Sequence, residues 1–424
     1  MNSIEQILRD QRLELERTDF KSYVSRKEEQ QIELDSNLAQ IVIGVRRSGK
    51  STLCQKVLKE SGVCYAYANF DDPVLAALKA DDLLQLQETL FRIYGDYTHL
   101  FIDEVQNIDQ WPLFVNRLLR TKVRLLLTGS NANLLSDELS THITGRYNEI
   151  RLYPFSFADY CVAKHIDTKA QDTLARGLRS HALDTYLMEG GLPETLRLRN
   201  QARYVRSLLD AIVNKDICRR YRVQYKSTLM QIANGLLDHF CQEIGYGDIQ
   251  QAYQLKSIHT AKNYISYVEK AYLVRFVPRL SFKSIERQSH RKVYAIDTAF
   301  VTTHHDVLQT DNLGWRLENV VALELLRRMD YADQQLYYLR ENRSYEVDFA
   351  VVERGRVTQL VQVTYDFTSP RAKLYNREIG GLLKAAAATH CHDLTLIMMT
   401  GEPKQLVVGT ETIRCVLATD WLLL

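Results

Sequence analysis

Apolar and polar positions follow different rhythms in different parts of the chain, and each rhythm predicts a different kind of element. "QIVIGV" (40–45), "THLFID" (98–103) and "VRLLLTG" (123–129) are short continuous apolar runs. Such runs suit strands buried on both faces of a parallel sheet. After the first run, "STLCQKVLKE" (51–60) continues with helical character. The opening "MNSIEQILRDQRLELERTDF" places Ile4, Ile7, Leu8 and Leu15 for packing on an amphipathic helix. From about 200 to 280 helices dominate, and the stretch ending "LKSIHTAKNYISYVEKAYLVRFVPRLS" reads as helix, polar turn, helix and two strand-like runs. That order is the order of a winged helix-turn-helix. Beyond 286 the pattern is mixed again. "RKVYAIDTAF" (291–300) is strand-like, "LGWRLENVVALELLRRM" (313–329) is an amphipathic helix, and "YEVDFAVVERGRVTQLVQVTYDF" (345–367) is a hairpin.

With 424 residues the chain is long enough for two or three cores, and 46% hydrophobic with 25% charged residues excludes disordered and fibrous classes. The balance of 54 basic against 52 acidic residues gives a net charge of only +2, so any nucleic-acid surface must be local. Seven cysteines (54, 64, 161, 218, 241, 391, 415) never form a C-x-x-C pair, which suits a reducing, cytoplasmic setting better than disulfides or structural zinc. The N-terminus lacks the apolar run of a signal peptide or membrane span.

Candidate chemistry concentrates after the first apolar run. Gly44 to Ser51 satisfies G-x-x-x-x-G-K-[ST]. Gly44 and Gly49 let the backbone bend, so that the N–H groups of Arg46, Arg47, Ser48, Gly49, Lys50, Ser51 and Thr52 turn toward phosphate. Lys50 brings a cation to the outer phosphates and Ser51 a hydroxyl to Mg²⁺. The second run ends in Asp103-Glu104, one carboxylate for the Mg²⁺ shell and one, Glu104, to activate water. Together the two motifs predict a P-loop NTPase. The third run ends in Thr128-Gly129-Ser130-Asn131. In NTPases with a Glu after the Walker Asp, an added strand lies between the other two, and Ser130 or Asn131 is placed there to sense the γ-phosphate; a helix cap is the alternative reading. Arg146, before "YNEIRLY", is a candidate for stabilising charge during phosphoryl transfer, in cis or toward a neighbouring subunit, or else a surface residue of a turn.

"GVRRSGKSTL", "NFDDP" (69–73), "FIDEVQNIDQW", "LLTGSNANLL", "GRYNEIRLYPFSFADY" and "YLMEGGLPE" (186–194), in this order, resemble the bacterial and archaeal AAA-type ATPases that carry a C-terminal domain of unknown function, DUF4143. The resemblance runs over most of the chain. It implies an AAA+-like core of the additional-strand class, with ATP as the nucleotide. The expected organisation is an α/β P-loop domain over 1–200, a winged-helix-like region over 201–285 and a restriction-endonuclease-like α/β domain over 286–424.

Two further clusters bear on partners. "KDICRRYRVQYK" gathers Lys215, Arg219, Arg220, Arg222 and Lys226 with Tyr221 and Tyr225, and the second helix of the winged motif, capped by Ser257, presents Lys256, His259 and Lys262. Ile258, Ala261, Ile265 and Val268 are expected to face its core. Such a mixture suits phosphate contact with stacking, and equally a protein or inter-subunit surface. In the C-terminal part, Glu318 and Asp348 stand where the endonuclease-like core places carboxylates, but Gln362-Val363-Thr364 replaces Glu-x-Lys. An amide is a poor Mg²⁺ ligand and threonine supplies no cation, so hydrolysis of nucleic acid there is not expected unless Glu346 or Asp366 restores a metal site. The sequence therefore points to an Mg²⁺- and ATP-dependent switch or machine. A nucleotide-stabilised adaptor and an ATP-gated nuclease are the rivals, and DNA, a protein partner or further copies of the chain are the open choices of partner.

Overall fold

The three predicted apolar runs join two further strands in one parallel sheet. The computed structural model describes residues 3–79, 82–130, 145–281, 290–302, 312–330, 332–341, 344–368 and 372–424. Its strands β1 (Ala39–Ile43), β2 (Tyr65–Asn69), β3 (His99–Asp103), β4 (Arg124–Gly129) and β5 (Tyr147–Arg151) lie in the order β2-β3-β4-β1-β5. All four pairings are parallel. The carboxyl ends of all five strands therefore share one edge, where ligands of open α/β sheets bind. β4 lies between β1 and β3, as the additional-strand class requires.

Every residue of β1 is buried, and one face meets the Lys50–Ser61 helix, where Val42, Phe101, Leu126 and Ile150 enclose Leu53, Cys54 and Leu58. The N-terminal helix Ser3–Arg17 buries Ile4, Leu8 and Leu15, with Ile7 half-buried. Its Gln11 donates to the Asn69 carbonyl and accepts from the Asn69 N–H, both at 3.0 Å, so a side chain pairs the last residue of edge strand β2.

The chain divides into two compact units, Met1–Pro154 with Lys270–Tyr272, and Phe155–Glu269 with Leu273–Leu424. The first unit runs to Pro154, just past β5, the last strand of its sheet. In the second unit, helices Lys226–Asp238, Tyr246–Ala252 and Ile258–Lys270 accompany β6 (Glu243–Ile244), β7 (Val274–Pro278) and β8 (Arg291–Ala295), in a sheet ordered β6-β8-β7. This is the expected winged helix. "RKVYA" pairs with β6 and β7, so this strand lies in the three-stranded sheet and not in the C-terminal one.

The remaining strands β9 (Gln334–Glu341), β10 (Tyr345–Glu353), β11 (Arg356–Asp366), β12 (Leu394–Thr400), β13 (Lys404–Val408) and β14 (Glu411–Leu417) form a mixed sheet ordered β13-β14-β12-β11-β10-β9. Helix Leu313–Met329 precedes β9, and helix Ala372–Thr389 connects β11 to its parallel neighbour β12. The resulting α-β-β-β-α-β order is the endonuclease-like core. β10 and β11 turn through Arg354 and Gly355, both at positive φ, as a two-residue hairpin demands.

"YLMEGGLPE" owes its glycines to packing within this second unit. Gly190 has φ 75°, and a Cβ there would lie 1.7 Å from Asp297 Oδ1. The Asp297 carboxylate accepts from the N–H groups of Gly191 and Ala299, each at 2.8 Å.

Candidate nucleotide-binding site

The loop between β1 and the Lys50–Ser61 helix is shaped by residues few others could replace. Gly44 has φ 153°, and a Cβ there would lie 2.1 Å from the Leu152 carbonyl oxygen. Gly49 (φ 98°) starts the helix in a left-handed conformation, and Arg47 also has positive φ (69°). The helix N-terminus therefore opens at the carboxyl edge of the sheet, a setting for phosphate. Lys50 is buried, and its Nζ donates to the carbonyls of Gly44 (3.1 Å) and Val45 (3.0 Å), folding the cation back across the loop. Ser48 is fully buried with an unpartnered Oγ. Arg46 is half-buried, and Arg47 and Thr52 are exposed.

Asp103, at the end of β3, is 3% exposed. Its Oδ1 accepts from Ser51 Oγ at 2.8 Å and from the Thr128 hydroxyl, and its Oδ2 from Tyr67 at 3.4 Å. Burial and then the neighbouring Glu104 push its carboxyl up, against the pull of Thr128, Ser51 and Lys50. A hydroxyl from the first turn of the Lys50–Ser61 helix and a carboxylate from the end of β3 form a hard-oxygen pair, the donor chemistry that Mg²⁺ selects.

Glu104 adopts the left-handed conformation (φ 55°, ψ 48°), which turns the chain out of β3 into a short helix. Its N–H donates to Thr128 Oγ1 at 3.0 Å, so one threonine hydroxyl at the end of β4 fixes both Asp103 and Glu104. The Gln106 amide donates to the Glu104 carboxylate and also to Ser130 Oγ at 3.2 Å. Of the two sensor candidates, Ser130 thus touches the group that holds Glu104, while Asn131 lies outside the described residues. Thr128, Gln106 and Tyr67 are contributors that the motif reading missed. A "DEVQ" spacing and a threonine at a strand end are the only marks they leave in sequence.

Arg146 is not part of this cluster. It precedes β5, its carbonyl accepts from Ala39 N–H at the start of β1, and its guanidinium donates to Asn116 at 3.3 Å. That is the amino edge of the sheet, a five-residue strand away from the loop, or about 16 Å. Arg146 and the phosphate loop are thus not brought together within the chain.

In the winged helix, Ser257 Oγ caps the Ile258–Lys270 helix through the Thr260 N–H at 3.2 Å. Ala261, Tyr264, Ile265 and Val268 are buried, whereas Ile258, expected inside, is 47% exposed. The first turn faces outward, so Ile258 joins Lys256, His259 and Lys262 at the surface. Residues 212–219 form a π-helix, a wide winding that carries Lys215 and Arg219 of the basic segment. Tyr221 then stacks on Tyr267, with ring centroids 3.8 Å apart and planes at 6°. This stack ties Arg219, Arg222 and Lys226, all exposed, and half-buried Arg220 to the Ile258–Lys270 helix. Lys262 also lies over the Tyr246 ring at 5.3 Å.

In the C-terminal core, Glu318 and Asp348 converge as expected. Gln362 accepts from Asp348 N–H (3.2 Å) and donates to buried Glu378 (2.7 Å), while Thr364 is buried. Asp366 faces away, with Thr368 and Thr400 hydroxyls on its carboxylate.

Residues 36–161 match the family model described as an AAA domain. Residues 180–311 match a domain of unknown function, DUF8612, and residues 313–392 match DUF4143, also of unknown function. An uncharacterized protein of Methanocaldococcus jannaschii is 29% identical over 381 residues, 87% of this chain and 83% of that protein. One from Haemophilus influenzae is 28% identical over 347 residues, 78% and 84% of the two chains. Among solved structures, the Walker-type ATPase PABY2304 of Pyrococcus abyssi is 15% identical with a TM-score of 0.41, over 66% of this chain and 95% of that one. Among the described residues no helix is long and apolar enough to cross a membrane.

Proposed function

Because the chain belongs to the AAA-domain proteins that carry a C-terminal DUF4143 region, we propose that it binds ATP with Mg²⁺ and hydrolyses it as a switch or machine. One observation carries the reading: Ser51 and Asp103 meet at 2.8 Å beside Lys50 and Glu104, at the carboxyl edge of the parallel sheet. Lys50 leaves the Gly44 and Val45 carbonyls for the outer phosphates, and the loop N–H groups from Arg46 to Thr52 cradle them. Ser51 and Asp103 would hold Mg²⁺, which would supply charge neutralisation at the phosphates. Glu104 takes a proton from the attacking water, and Gln106 with Ser130 sets where its carboxylate points. Positioning and charge do most of the work, since phosphoryl transfer asks for little covalent chemistry from the protein.

Steady-state hydrolysis by wild type, Lys50→Ala and Glu104→Gln tests this. Loss of turnover in both variants, with ATP still bound by Glu104→Gln, is expected. Equal turnover in wild type and Glu104→Gln would instead mark a nucleotide-stabilised adaptor.

A second reading, DNA as the partner, rests on the Tyr221–Tyr267 stack. It adjoins the basic segment 219–226 to the exposed Lys256 and Lys262 of the winged helix, giving one local cationic and aromatic surface in a chain of nearly balanced charge. Stimulation of turnover by duplex DNA supports it. Indifference to DNA turns attention to a protein partner or further copies of the chain.

A further inference from the structure

The nuclease-like cluster lacks a lysine at Thr364, yet a lysine reaches it from another element. Lys292 lies within β8 of the winged-helix sheet, and its side chain is only 6% exposed. Its Nζ stands 2.8 Å from Glu346 Oε1, 3.1 Å from Glu318 Oε1 and 3.5 Å from Asp348 Oδ1. Tyr294, on the same face of β8, donates its hydroxyl to that Glu318 oxygen at 2.9 Å. The other oxygen of Asp348 accepts the Val363 N–H at 3.0 Å. Gln362, in the place of a third ligand, has both ends of its amide engaged, by Asp348 N–H and by Glu378.

Two roles are open to such a lysine. As a replacement for the missing catalytic lysine, it would stand beside a metal and leave the carboxylates free to ligate. The distances argue otherwise. Separations of 2.8 to 3.5 Å are those of an ammonium donating to carboxylates. A divalent ion needs the same oxygens at about 2.0–2.6 Å, and the ammonium occupies that space.

We infer that Lys292 is a built-in cation: its ammonium occupies the position at which this architecture would otherwise bind a divalent metal. The arrangement fits the presence of Gln362 in place of a glutamate, because an additional carboxylate would add charge to a cluster in which three carboxylates already share one buried ammonium. It also makes β8 a shared element, with its backbone in the winged-helix sheet and its Lys292 and Tyr294 side chains in the acidic cluster. Burial lowers the affinity of Lys292 for its proton, but the three carboxylates outweigh it and hold the ammonium charged.

The test uses the full chain, free of nucleotide and carrying Lys50→Ala to silence the phosphate loop, titrated with Mn²⁺ and followed by electron paramagnetic resonance. No Mn²⁺ should bind to the cluster in this protein. Adding Lys292→Met should create one site, about tenfold or more tighter than background binding to surface carboxylates, and adding Asp348→Asn should abolish it. A site already present without the Lys292 substitution and removed by Asp348→Asn would overturn the inference, as would a folded Lys292→Met protein that gains none. Should Lys292→Met not fold, reductive methylation of the Lys50→Ala protein decides. Lys292 is expected to stay protected with and without millimolar Mn²⁺, and labelling that appears on adding Mn²⁺ would overturn the inference.

Discussion

Thr128 holds more of the candidate ATPase site than its size suggests. Its hydroxyl donates to Asp103 and accepts from the N–H of Glu104, so Thr128→Val strips a partner from each. Leaving a buried donor or acceptor unpaired costs about 1–3 kcal/mol. Thr128→Val should therefore melt lower and turn over more slowly, whereas Thr128→Ser should keep both. Equal turnover in the valine and serine variants would detach Thr128 from the site. Gly44→Ala is the backbone counterpart, since its methyl carbon would lie 2.1 Å from the Leu152 carbonyl oxygen. Loss of ATP binding and of thermal stability together is expected. Arg146→Ala makes the converse prediction. Its guanidinium lies at the amino edge of β5, so turnover measured at high dilution should not change.

At the scale of elements, the winged helix and the basic segment act as one surface only if the Tyr221–Tyr267 stack holds. Arg219→Ala and Lys262→Ala should weaken DNA binding and each reduce the slope of log affinity against log salt by about 0.9. Tyr221→Ala should weaken binding more than either while leaving every cation in place, and unchanged binding by Tyr221→Ala would separate the two elements. The surface was only partly legible in sequence. Ser257, Ala261, Ile265 and Val268 follow from helical spacing, but Ile258 is exposed because the helix has just begun and nothing packs over its first turn. The stack joins residues 46 positions apart, beyond any local pattern. The same limit explains β8: "RKVYA" reads as a strand correctly, but the sheet it joins is decided by pairing with Glu243–Ile244 and Val274–Pro278. The phosphate loop is the opposite case. Its glycines, lysine and serine lie within eight consecutive residues, and their chemistry is fixed by that spacing.

At the scale of the whole molecule, buried acids link the second unit's stability to pH. Burial pushes Asp297 up to about 6 and Glu318 up to about 7. Both groups favour the protonated form when folded. Their contribution is thus full below the pKa of an unfolded carboxyl, near ~4, and is lost as pH rises through 6 and 7. For Asp297 the span is on the order of 3 kcal/mol. Urea unfolding should show stability falling between pH 5 and pH 7, with a shallower fall in Asp297→Asn; equal slopes would contradict the assignment. Asp297 illustrates why much of this unit escaped the sequence. The aspartate holds Gly191, over a hundred positions away, and nothing near "AIDTAF" announces it.

The most direct test of the account is nucleotide trapping by Glu104→Gln. The purified variant is incubated with ATP and Mg²⁺, freed of unbound nucleotide and analysed for what it retains, beside wild type and Lys50→Ala. General-base removal lowers rates by about 10²–10⁴-fold, so Glu104→Gln should retain intact ATP where wild type retains ADP and Lys50→Ala retains nothing. ADP on Glu104→Gln, formed as fast as on wild type, would contradict the central claim that this loop and this carboxylate together hydrolyse ATP.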